Sequence, residues 1–103
     1  MRIGDKVHFI ISLTDEIVRE NGYNSSKCFA ELEAKESGAF SYGNGSVTVL
    51  TLIDPTDKCT ELMYDTRYAR GSFADVSKDI LETFFGANAS VISQIGQVEN
   101  DRG

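Results

Sequence analysis

Residues 5–21 read DKVHFIISLTDEIVREN, and how that run divides decides the fold. Wound at 100° per residue, Val7, Phe9, Ile10, Ile11, Leu13, Ile17 and Val18 cover one broad arc, opposite His8, Ser12, Asp15, Glu16 and Arg19. Asp5 can cap such a helix and Gly22 can end it. A second division exists. Val7, Phe9, Ile11 and Leu13 also alternate as a strand would, and a shorter helix can begin within Ser12-Leu13-Thr14-Asp15. The clean separation of faces favours one helix over Asp5–Asn21. Its apolar arc is wider than one packing face needs, which points to contact on two sides and to a homodimer.

Working outward, Gly22-Tyr23-Asn24-Ser25-Ser26 has loop chemistry. In Lys27–Glu36, Cys28, Ala30, Leu32 and Ala34 alternate with Phe29, Glu31 and Glu33, as in a half-buried strand. Ala, Glu, Leu and Lys also favour helix, but the strands downstream need a partner. Ala39–Tyr42, the turn Gly43-Asn44-Gly45 and Ser46–Ile53 read as a hairpin, with a bulge at Ser37-Gly38. Val47, Val49 and Ile53 face one way and Leu50 with Leu52 the other, as in a central strand covered on both sides. Asp54-Pro55-Thr56-Asp57 is a turn, and Lys58–Thr66 alternates as a third strand.

Ser72–Gly86 is an amphipathic helix. Phe73, Val76, Ile80, Leu81 and Phe84 form its core side, and Asp75, Asp79 and Glu82 an acidic face. Ser72 is the N-cap with Asp75 as its capping partner, and Gly86 stands at the C-terminal stop. Beyond it, Asn88-Ala89-Ser90 can start a short helix carrying Val91, Ile92 and Ile95. Residues 1–96 read as a single α+β domain and 97–103 as a tail. The expected order is α-β-β-β-α: a three-stranded antiparallel meander, two amphipathic helices on it, and a short C-terminal element.

That order is similar to the double-stranded-RNA-binding domain and to several small phage-encoded CRISPR inhibitors. The RNA-binding family starts its last helix with a Lys-rich run. Ser72-Phe73-Ala74-Asp75-Val76 stands there in this chain, so the phosphate grip is missing.

Composition narrows the function classes. Ten Lys and Arg oppose 16 Asp and Glu, a net charge of −6, which disfavours direct nucleic-acid binding through phosphates and suits a solvated surface or a basic partner. No run is long and apolar enough for a membrane span or a signal peptide, so the expected location is the cytoplasm. Cys28 and Cys59 lack a CxxC partner and read as two buried thiols. With one histidine they make no zinc set, so no metal or cofactor is expected.

His8 is the only histidine and falls on the polar side of the first helix, a solvated position that argues against catalysis. Pairs such as Asp54 with Asp57 or Glu31 with Glu33 fit turns and wet strand faces better than acid–base chemistry. Arg67-Tyr68-Ala69-Arg70-Gly71-Ser72 is the one local cluster suited to an anion, because guanidinium groups precede a helix N-terminus. The plainer role of Ser72 is to cap, and that of Arg67 and Arg70 to pair with nearby acids. Tyr23, Tyr42 and Tyr68 lie in or beside loops, where tyrosine serves binding. The resulting expectation is a non-enzymatic interaction protein, a homodimer, that occludes a protein partner, such as a phage or mobile-element inhibitor of host defence. The alternative is a nucleotide or anion binder at Arg67, Tyr68, Arg70, Ser72 and Tyr42.

Overall fold

The run at residues 5–21 divides in two. In the computed structural model, which describes residues 4–36, 46–86, 90–94 and 99–100, Asp5–Ser12 is strand β1 and Asp15–Asn21 is helix α1. Val7, Phe9 and Ile11 alternate into the core, as a β-branched and aromatic run does in a sheet. Thr14 starts α1, its hydroxyl accepting from the Ile17 N–H. Gly22 ends it in the left-handed region at φ 72°, where its N–H reaches the Val18 carbonyl. The expected single helix is therefore wrong. A period-2 segment followed by a short helix leaves overlapping apolar arcs when both are wound at 100° per residue, and that overlap imitates one long amphipathic helix. The wide arc that suggested a dimer is the same artefact.

Lys27–Glu36 forms β2, Ser46–Ile53 β3 and Cys59–Asp65 β4. These three form the antiparallel meander expected, but β1 joins it, pairing with β2 from Lys6 opposite Glu33 to Ser12 opposite Lys27. Helix α2 is Phe73–Phe85, and Ser90–Gln94 is β5 rather than a short helix. Once β1 is extended its second edge needs hydrogen-bond partners, and β5 supplies them, with a register shift between Ile10 and Ile11. A last strand, β6, spans Glu99–Asn100 and pairs with Asp5 and Lys6, inside the span expected as a tail. The strands lie in the order β4-β3-β2-β1-β5, with β6 also on β1. The fold is α+β as expected, but the chain order is β-α-β-β-β-α-β-β. The element-order resemblance drawn from the sequence does not hold. The bulge, the turn at 43–45 and Tyr42 lie outside the described residues.

One face of the sheet is the core. Phe9, Ala30 and Leu52 form one cross-strand row, and Val7, Leu32, Leu50 and Leu62 the next. Ile17 of α1 and Val76, Ile80 and Leu81 of α2 close over them in one buried cluster. Burial of such side chains is worth about 1.5–3 kcal/mol each, which is why these rows, rather than helix propensity, hold α1 and α2 in place. Helix α2 carries the capping box expected at its start: Ser72 Oγ accepts from the Asp75 N–H, and the Asp75 carboxylate accepts from the Ser72 N–H. Its phenylalanines depart from expectation. Phe84 is 46% exposed, and Phe73 and Phe85 pack at the margin of the core.

Candidate functional site

The opposite face of the sheet is built from the other parity of the same strands, and none of its residues belongs to that core. Ile10, Phe29, Ile53 and Cys59 stand in register across β1, β2, β3 and β4. Phe29 is 61% exposed and Ile53 36%, so this row presents apolar surface outward near one end of the sheet. The next row is His8, Glu31, Thr51 and Glu61, and the third Lys6, Glu33, Val49 and Met63. Met63 is 47% exposed, while Val47 and Val49 are buried, so apolar exposure on this face is broken into separate spots. His8 Nε2 lies 3.1 Å from Glu31 Oε2 across β1 and β2.

Beside Phe29 the surface dips into an apolar cavity of about 340 Å³, lined by Ile10, Ser25, Lys27, Cys28, Phe29 and Pro55. That is the lower part of the range occupied by small-ligand pockets, and enough for a large side chain. Its rim is held by a polar knot. The buried Asp54 carboxylate accepts from the Thr56 hydroxyl at 2.7 Å, from the Thr56 and Lys58 N–H groups, and from the Asn24 N–H across the loop. The Thr56 hydroxyl, and after it these backbone donors, hold the Asp54 pKa well below the usual carboxylate range, against the opposing effect of burial. Lys58 completes the link: its Nζ donates to the carbonyl of Asn21, the last residue of α1, at 2.7 Å, and stands 5.3 Å from the Tyr23 ring centroid. Ser25 and Pro55, on two different loops, are thereby fixed against each other.

Two of the residues singled out at the entry to α2, Arg67 and Ser72, are engaged by carboxylates. Arg67 holds Asp65 through Nε and Nη2, the latter at 2.7 Å from the carboxylate, and this pairing lowers the Asp65 pKa. Asp75 lies over the first turn of α2, its own pKa lowered by the Ser72 N–H and hydroxyl. An incoming anion meets that carboxylate first. Gly71, at φ 91°, passes so close that a Cβ there would lie 2.9 Å from the Asp75 oxygen. Tyr68 is 59% exposed, with Arg67 5.8 Å from its ring centroid, and Arg70 is exposed. Arg67 thus stands over the Tyr68 ring and Ser72 is taken up in the cap of α2, whereas Tyr42 is outside the described residues.

Asp79 is exposed and Glu82 half-buried on α2, so the acidic side of that helix turns away from the core. Tyr23, expected on a binding surface, is buried in the core. His8 sits on β1, not on a helix with Asp15 and Arg19. Only one of the two cysteines is buried: Cys28 lies on the core side, its pKa raised by burial and then by the Asp54 charge, and Cys59 is exposed. Among the described residues no group of three His, Cys, Asp or Glu could hold a metal, and no helix is long and apolar enough to cross a membrane.

The apolar row at Ile10, Phe29 and Ile53 carries no motif that marks it as a site in the sequence. Its signal was present: Phe29 shares the wet parity of β2 with Glu31 and Glu33, where an aromatic residue gains nothing from the protein's own core. Comparison with family models, with curated proteins and with solved structures finds no match for this chain, so the functional reading rests on the geometry.

Proposed function

We propose that this chain is a non-catalytic interaction protein that covers part of a protein partner with the apolar row of half-buried Ile10 and exposed Phe29 and Ile53. The observation that carries the reading is Phe29, 61% exposed near the start of the regular strand β2 and flanked by two apolar neighbours in register. A partner that projects an apolar side chain into the adjoining cavity would bury the row, and desolvated aromatic contacts of this kind dominate interface energies. The net charge of −6 favours a partner of positive surface potential and speeds its approach. Glu31 and Glu61, in the row beside Phe29, set carboxylates at the border of the contact.

The test compares two variants in affinity capture from the organism that encodes the chain. Phe29→Ser removes the apolar anchor, and joint charge reversal at Asp75, Asp79 and Glu82 alters the far, helical side. A basic protein retained by the native chain, lost with Phe29→Ser and weakened by salt supports the reading. Retention unchanged by Phe29→Ser, with loss in the charge-reversed variant, moves the contact to α2 and overturns it.

A further inference from the structure

The sheet ends on one side at β4, which pairs with β3 alone among the described strands. An edge strand presents a row of backbone N–H and C=O groups that can template another strand, and folds commonly blunt it with charged side chains, Pro or a bulge. Strand β4 has no Pro, Lys or bulge, and its charges are the carboxylates of Glu61 and Asp65. Its seven residues pair with β3 without a shift, from Cys59 opposite Ile53 to Asp65 opposite Val47.

We propose that β4 pairs antiparallel with β4 of a second copy about a two-fold axis at Leu62, so that one continuous sheet runs through a homodimer. Charge selects the register. Centred on Leu62, all seven residues find partners: Glu61 faces the partner's Met63, Thr60 the partner's Tyr64, and Cys59 the partner's Asp65. Centring one residue earlier sets Glu61 against the partner's Glu61, and one residue later sets Glu61 against the partner's Asp65. Like charges directly opposite are destabilising in a ladder. The chosen register also keeps Thr60, Leu62 and Tyr64 on the core side of both subunits, and covers Met63, which is 47% exposed in the single chain. The two Phe29 rows then lie on the same side of the joined sheet. The dimer does not depend on the partner reading above, since Phe29 is two strands away from the axis.

Sedimentation equilibrium on the purified chain tests this. The expected species has twice the 11.3 kDa mass of the chain, and its fraction rises with salt, because each subunit carries −6 and screening relieves their repulsion. Met63→Glu, an exposed position that leaves the core untouched, sets two carboxylates opposite each other on both sides of the axis and should abolish the dimer. Adding Glu61→Lys to that variant restores opposite charges across the axis and should restore the dimer, whereas Glu20→Lys, which changes net charge equally on α1, should not. Phe29→Ser should leave the dimer intact. A chain that stays monomeric at every concentration and salt overturns the proposal, as does a dimer that survives Met63→Glu. A dimer lost with Phe29→Ser but not with Met63→Glu places the contact on the exposed row and overturns it as well.

Discussion

Phe9 and Phe29 sit on neighbouring strands, one pair apart in the β1–β2 ladder, and have opposite fates: Phe9 is fully buried and Phe29 is 61% exposed. The backbone around each is the same antiparallel ladder. What differs is parity, which sends Phe9 under α1 and α2 and Phe29 away from them. The comparison teaches where the two kinds of constraint lie. On the core face, side chains are held by volume and by the loss of water. At the exposed end of the other face, where Phe29 and Ile53 lie, an apolar side chain contributes little to folding, and its worth depends on what comes to cover it.

The largest effect that this contrast implies is on stability. Phe9→Ala removes an aromatic side chain from a closed core and should cost about 3–5 kcal/mol. Phe29→Ala should fall within about 0.5 kcal/mol of the native chain, as surface changes do. Urea unfolding followed by circular dichroism measures both. Comparable losses at the two sites would mean that the Phe29 face is packed in solution, and the distinction between the faces would fail.

A smaller effect lies at the border between the faces, in the knot around Asp54. A carboxylate whose folded pKa is depressed contributes stability that is complete above the unfolded value and is lost as pH falls through the folded one. For an Asp with an unfolded value near about 3.9 the loss begins below about pH 5. Asp54 therefore stabilises the chain at neutral pH and ceases to do so in acid, with Asp65 and Asp75 acting in the same direction. Asp54→Asn should lower the thermal midpoint at pH 7 and flatten the acid limb of the stability curve. An unchanged midpoint, or a native-like acid limb, would show that the donors from Thr56, Lys58 and Asn24 do not need the charge.

How far the sequence could be read follows from the same contrast. Strands β3 and β4 were legible because alternation and the turn at Pro55 agree, and β2, whose residues also favour helix, because those strands need a partner. Helix α2 was legible because Ser72, Asp75 and the apolar stripe all point to one structure. Residues 5–21 were misread because apolar side chains at Ile10 and Val18 let a strand and a short helix pass for a single period. Distinguishing the two needed the partner strand β2, a tertiary fact. The error spread to β5, since a helical first element offers no edge for it to join. The apolar row fared worse than the fold. Ile10, Phe29 and Ile53 lie 19 and 24 residues apart in the chain, and only the ladder register brings them together.

The smallest effect is the most discriminating for the nature of the second face. His8 and Glu31 touch at 3.1 Å, with their side chains 37% and 33% exposed. In contact with water such a pair couples weakly, by about 0.2–1 kcal/mol, because each group is nearly as well solvated apart. A double-mutant cycle of His8→Ala and Glu31→Gln at pH 7, read by urea unfolding, should give a coupling at the low end of that range. The same cycle run on a chain saturated with its partner should give a larger value, since covering the Phe29 row excludes water from the row beside it and raises the worth of each polar contact there. A strong coupling in the free chain would mean that this face is already dry before any partner arrives. Equal couplings in the free and bound chains would mean that the partner sits elsewhere, and that the exposure of Phe29 serves no contact.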